Sequence, residues 1–158
     1  MAITLTHIAL HVKDLDACVA FYQKYADLKI VRDRRPNGPD GKRIVWLAEE
    51  GREETFILII LPEGPGRNQQ DNDFSHLGFA LETKDDVDDI ALRAINEGIL
   101  AWPCKQEPFP VGYYCGIKDP DGNFVEFSYG QPLGPGAEKS NPDSLPVNTL
   151  WDHIYKDD

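Results

Sequence analysis

Cysteine is scarce in this chain and methionine scarcer: 158 residues hold three Cys and one Met. Cys18, Cys104 and Cys115 are odd in number and far apart. That spacing excludes a disulfide framework and a Cys-x-x-Cys metal site, and it suits a reducing cytoplasm. Positive charge is short as well. Lys and Arg number 16 against 27 Asp and Glu, so the formal charge is −11. This is the wrong sign for a nucleic-acid partner, although a small anion needs only a local cation. No apolar run approaches the ~20 residues that a membrane-spanning helix needs. The first seven residues, Met1 to His7, carry neither the basic region nor the cleavage site of a secretory signal, so a cytoplasmic location is expected.

What is present reads as one folded domain over 1–132 followed by a tail over 133–158. Ile3–Val12 is rich in β-branched residues and predicts a strand. After Asp14, an expected N-cap, the apolar residues Leu15, Cys18, Val19, Tyr22 and Tyr25 fall at helical spacing. Strands are expected at Leu28–Arg32, Arg43–Ala48 and Thr55–Leu61, and residues 63–73 form a polar linker. The order then repeats. Phe74–Leu81 predicts a strand, Asp85–Glu97 a helix closed by Gly98, and Ile99–Pro103 a short strand. Gly112–Lys118 and Asn123–Tyr129 form a hairpin around Asp119-Pro120-Asp121-Gly122, whose Pro and Gly suit a type I turn. The tail is loose in composition and ends in a short amphipathic piece, Leu150–Tyr155, expected to dock on the domain or on a second subunit.

The repeat makes the histidines informative. A shift of 69 carries His7 onto His76 and Ile30 onto Ile99, and a shift of 68 carries Phe56 onto Phe124 and Leu58 onto Glu126. The chain is therefore expected to be α+β: two βαβββ modules, about 3–62 and 74–131, forming a curved mixed sheet around a metal-binding cavity. His7 and His11 share a face of one strand but stand roughly 13 Å apart at ~3.3 Å per residue, too far to share one ion. The repeat selects His7. With His76 and Glu126 it makes two imidazoles and a carboxylate, a set that suits one divalent metal ion per chain: Fe(II), with Mn, Ni, Co or Zn as competitors. Leu58, the fourth place under the 68-residue shift, cannot ligate.

Weaker candidates lie on the same parity. His11 is either a catalytic acid or base near the substrate or a wall residue bonded to a neighbour. Tyr114 offers a hydroxyl as a second catalytic candidate, Gly116 opens space, and Ser128 lines the floor. Trp46 and Trp102 read as core or rim aromatics, and Lys105 and Arg43 as solvated cations able to attract an anion.

Three stretches resemble the vicinal oxygen chelate superfamily: Thr6-His-Ile-Ala-Leu-His-Val-Lys-Asp-Leu15 with Ala20-Phe-Tyr22, His76-Leu-Gly-Phe79, and Asp119-Pro-Asp-Gly-Asn-Phe-Val-Glu126. That group includes glyoxalase I, extradiol dioxygenases, fosfomycin-resistance thiol transferases, epimerases and bleomycin-binding proteins. The resemblance covers about 3–131. It implies paired βαβββ modules, a U-shaped cavity, a metal at His7, His76 and Glu126, and a homodimer with modules packed across subunits. The implied chemistry is chelation of two adjacent oxygens of a small-molecule substrate, in a dioxygenase-like or a glyoxalase-like lyase or isomerase reaction. The chain departs from single members. Glyoxalase I has a glutamate where Leu58 is expected to stand. Extradiol dioxygenases and fosfomycin transferases favour a tyrosine at the Gly116 position. Bleomycin-binding members lack the metal triad. The contrasting expectation is a non-catalytic binder that sequesters a ligand at a dimer cleft.

Overall fold

A computed structural model describes residues 2–134. The tail beyond Gly134, with Leu150–Tyr155, lies outside the described residues. The chain divides into two compact units. The first holds residues up to Ser75 together with Lys118–Phe124, and the second holds His76–Ile117 and the chain from Val125.

The first unit runs β1 (His7–His11), α1 (Leu15–Ala26), β2 (Lys29–Arg34), β3 (Ile44–Ala48) and β4 (Ile57–Leu61). Its sheet order is β1-β4-β3-β2, with β1 parallel to β4 and the other pairs antiparallel. Asp14 caps α1 as expected, accepting from the Ala17 amide at 2.9 Å, and Asp27 ends it in the left-handed region at φ 51°. Leu15, Cys18, Val19, Phe21, Tyr22 and Tyr25 are buried on the helix, and Val45, Leu47, Leu58 and Ile60 on the sheet. The alternate residues Trp46, Ile57, Ile59 and Leu61 stay half-buried on the opposite sheet face, which also carries His7 and His11. The predicted first strand shortens from Ile3 to His7 because pairing with β4 starts at His7 opposite Ile57.

The Asp-Pro-Asp-Gly turn is held by this unit. The Asp119 carboxylate accepts from the Tyr22 hydroxyl at 2.8 Å, the Asn123 amide side chain at 2.9 Å, and the backbone amides of Asp121 and Asn123, each at 2.9 Å. Asp121 accepts from the Lys13 amide at 2.8 Å, and the Gly122 amide closes on the Asp119 carbonyl at 3.0 Å. Burial, then the neighbouring Asp119 charge, keep the Tyr22 hydroxyl protonated far above its ordinary range. The linker is pinned rather than loose. The Arg67 amide donates to the Asp121 carbonyl at 3.0 Å, and a Cβ on Gly122 would come within 2.2 Å of the Arg67 carbonyl oxygen.

The second unit repeats the plan with β5 (His76–Ala80), α2 (Lys84–Glu97), β6 (Leu100–Glu107), β7 (Gly112–Lys118) and β8 (Phe124–Tyr129), in sheet order β5-β8-β7-β6. The helix begins one residue earlier than expected because Thr83 and Asp86 form a reciprocal capping box. Val87, Ile90, Ala91 and Ala94 are buried on α2. The Cys104 and Cys115 thiols both reach the Val87 carbonyl, at 4.0 and 3.7 Å, which places them on the helix-covered face. Strand β6 runs four residues past the predicted Pro103. Its register slips between Trp102 and Lys105, and as an edge strand it tolerates a proline that cannot donate.

Candidate metal centre

The face of the second sheet away from α2 collects the polar residues. His76 lies on β5 and Glu126 on β8, in neighbouring strands. The His76 Nε2 stands 3.4 Å from Glu126 Oε2, with the His76 side chain 34% exposed and the Glu126 side chain 7%. A charge-assisted hydrogen bond is ~2.7–2.9 Å, so this separation is long for one. Two donors each about 2.1 Å from one cation, at angles of ~90–110°, stand roughly 3.0–3.4 Å apart. The pair therefore has the bite of two ligands. Burial raises the Glu126 carboxyl above the usual range, and the nearby His76 and a hydrogen bond with Gln131 oppose that shift. A cation placed between the two residues would offset the same burial cost.

His76 is oriented by an aromatic that the sequence left as a core or rim residue. The rings of His76 and Trp102 meet edge-to-face at 5.4 Å and 89°. Trp102 pairs with Gly116 across β6 and β7. A Cβ at position 116 would lie 2.3 Å from Trp102 Cε3 and 2.5 Å from Cδ2. Gly116 thus accommodates the Trp102 ring and does not open space for a ligand, which corrects the expectation above. The signal in the sequence was the bare glycine itself, whose missing side chain a cross-strand aromatic fills.

Tyr114 pairs with Lys105 across the same two strands. Its phenol is raised, first by burial and then by Glu107 and Glu126, with Lys105 opposing, so it is an O–H donor at neutral pH. Lys105 forms an ion pair with the buried Glu107. Ser128 is buried and donates to the Gln131 side-chain oxygen at 3.3 Å.

The other candidates belong to the first unit. His7 Nδ1 lies 3.0 Å from the Thr6 hydroxyl, a contact that leaves Nε2 free to act as a donor atom. His11 Nε2 donates to the Pro62 carbonyl at 2.9 Å, which fixes the proton there and leaves Nδ1 as a lone pair. Trp46 is overlaid by the guanidinium groups of Arg32 at 4.6 Å and Arg34 at 5.6 Å. Arg43 is taken up by Asp33 and Asp16. A hollow of about 320 Å³ lies beside it. Its cations are already occupied, Lys42 by Glu63 and Arg35 by the Gly41 carbonyl. Among the described residues no three His, Cys, Asp or Glu side chains gather at one point.

The strand bonding revises the internal correspondence. The Val12 amide donates to the Leu61 carbonyl at 2.8 Å, and the Leu81 amide to the Ser128 carbonyl at 2.7 Å. Here 81 − 12 is 69, but 128 − 61 is 67, so Ile59 and not Leu58 corresponds to Glu126. Leu58 is buried on the alternate side of β4 from Ile59. Both residues are apolar, so the first module still supplies no fourth ligand.

The family model for the Glyoxalase/Bleomycin resistance protein/Dioxygenase superfamily matches residues 4–127. An uncharacterized protein of Pseudomonas aeruginosa is 56% identical over 138 residues, which is 87% of this chain and 96% of that protein. Among solved structures, the fosfomycin resistance protein FosX of Listeria monocytogenes, complexed with Mn(II) and sulfate, aligns with a TM-score of 0.63 at 20% identity, covering 89% of this chain and 100% of that one. A possible glyoxalase from Bacillus cereus aligns with a TM-score of 0.57 at 23% identity, covering 80% of this chain and 99% of that one. The structural likenesses speak to the fold.

Proposed function

The chain belongs to the Glyoxalase/Bleomycin resistance protein/Dioxygenase superfamily, and we propose that it is a cytoplasmic, metal-dependent enzyme acting on a small substrate with two adjacent oxygens. The observation that carries this reading is the buried Glu126 carboxylate held 3.4 Å from the His76 Nε2. His76 and Glu126 would hold a divalent ion together with His7. Members of this superfamily typically form dimers, and in a homodimer His7 of one copy could join the pair of the other. A Listeria relative in fold was solved with Mn(II), which makes manganese the first ion to try.

A bound divalent ion supplies Lewis acidity to two chelated oxygens. The chain's own groups do the rest. Tyr114, kept neutral by its surroundings, donates a hydrogen bond to a substrate oxygen that gains negative charge. The Trp102 ring packs edge-on against the His76 imidazole and holds its orientation. His11, with its proton fixed on Nε2 by the Pro62 carbonyl, offers Nδ1 as the acceptor for a substrate proton. The reaction type is dioxygenase-like or glyoxalase-like.

Metal analysis tests the reading. Protein purified without chelator should carry about one Mn, Fe, Ni, Co or Zn ion per chain, and Glu126→Ala should carry far less, a loss of 10-fold or more in affinity. If wild type and variant are both metal-free and neither takes up Mn(II), the enzyme reading fails and the sequestering binder takes its place. Oxygen uptake with catechols after Fe(II) loading, against methylglyoxal with a thiol, separates the two reaction types.

A further inference from the structure

We infer that Gln69 is a positioning residue that sets the gap between His76 and Glu126, a role that rests on the metal-site reading above. Gln69 sits in a polar stretch where a solvated side chain is the default, yet it is 6% exposed. Its side-chain amide donates to the Asp73 carbonyl at 2.7 Å and to the Ser75 carbonyl, and its oxygen accepts from the Phe124 amide at 3.1 Å. Ser75 immediately precedes His76, and Phe124 stands two residues before Glu126. The carboxamide thus grips the two strands at the residues that launch the two candidate ligands.

The first unit shows the alternative. There the Ile57 amide donates straight to the Thr6 carbonyl at 2.9 Å. The corresponding groups are those of Phe124 and Ser75, because 124 − 57 is 67 and 75 − 6 is 69, the same offsets that relate the closed ends of the two ladders. At those closed ends the bonds match, 2.8 Å from Val12 to Leu61 and 2.7 Å from Leu81 to Ser128. At the open end one ladder closes directly and the other is wedged by a carboxamide. His76 and Glu126 lie just inside the wedge. A direct bond there would draw the strands together beside a buried carboxylate and an imidazole. The inserted amide holds them apart while satisfying the Ser75 carbonyl and the buried Phe124 amide, which burial requires to be paired. The peptide bonds from Ser75 to His76 and from Phe124 to Val125 carry the constraint to the ligand pair.

The experiment uses full-length protein. Gln69→Ala removes all three bonds. Gln69→Glu keeps the acceptor for Phe124 and loses both donors, and it serves if the alanine variant does not fold. Val87→Ala, buried on α2, is the control for simple loss of stability. Mn(II) titration followed by the free-ion paramagnetic resonance signal should show affinity reduced ~10-fold or more in Gln69→Ala, less in Gln69→Glu, and unchanged in the control. Crystal structures of the metal-free variants supply a reading independent of any ion. In Gln69→Ala the Phe124 amide should close on the Ser75 carbonyl and the His76–Glu126 separation should depart from 3.4 Å. A variant that keeps that separation, or that binds Mn(II) as tightly as a wild type that does bind it, overturns the inference. Wild type that ignores Mn(II) while the variant's strands still close would sink the metal reading and leave the positioning role standing.

Discussion

Replacing Gly116 with alanine tests the packing behind His76 by one methyl group. The added Cβ would lie 2.3 Å from Trp102 Cε3, well inside contact distance, so the indole must move. Overpacking of this kind costs about 1–3 kcal/mol. Gly116 has no positive φ to forfeit, so Gly→Ala also restricts the unfolded chain and returns about 0.4–1 kcal/mol. The net expectation is a loss of about 1–2 kcal/mol, or roughly 2–8 °C in midpoint for a chain of this size. Urea unfolding at constant m-value measures it. The same substitution should change sign in a Trp102→Ala background, where the ring is gone and only the unfolded-state gain of about 0.4–1 kcal/mol remains. Near-ultraviolet dichroism should report the displaced indole in the single variant. Equal destabilisation in both backgrounds, or a neutral Gly116→Ala, would refute the account of Trp102 as the filler of that gap.

Two further expectations concern stability. Thr83→Ala removes one half of the α2 capping box and should cost about 1 kcal/mol by urea unfolding; a change within 0.2 kcal/mol would show that the box is not formed in solution. Hydrogen bonding from Arg43 holds the Asp33 carboxyl below its ordinary value. A depressed folded pKa stabilises above the unfolded value, about 3.9, and that stabilisation is lost as pH falls through the folded value. The stability gap between wild type and Arg43→Gln should therefore be full above about pH 4, shrink below it, and stay under about 1 kcal/mol because the pair is solvent-screened. A gap that is flat from pH 2 to 8 would contradict the assignment.

Much of the fold was legible because its signals are local. The change from strand to helix spacing at Asp14, the acidic start and glycine end of α2, and the Pro and Gly of the 119–122 turn each act within a few residues. The pairing of His76 with Glu126 was legible only through the repeat. The correspondence slipped by one residue in β4 because a run of Ile and Leu gives no marker of side, and the backbone bonds supply it. Trp102 and Gln69 were missed for a different reason. What places them lies on other strands: a missing side chain at Gly116, and a carbonyl and an amide at Ser75 and Phe124. No window along the chain displays such partners. Pro103 misled in the opposite direction, since its ladder slip ends pairing for two residues and not for the strand.

The buried Tyr22 hydroxyl finds its acceptor in Asp119, 97 residues away and encoded in the other half of the repeat. Cutting the gene at the midpoint would strand that hydroxyl in an apolar interior and strip the Lys13 amide of Asp121 as well. The two sequence halves are thus interlocked: the first depends on a turn carried by the second to satisfy a buried hydroxyl and a backbone amide.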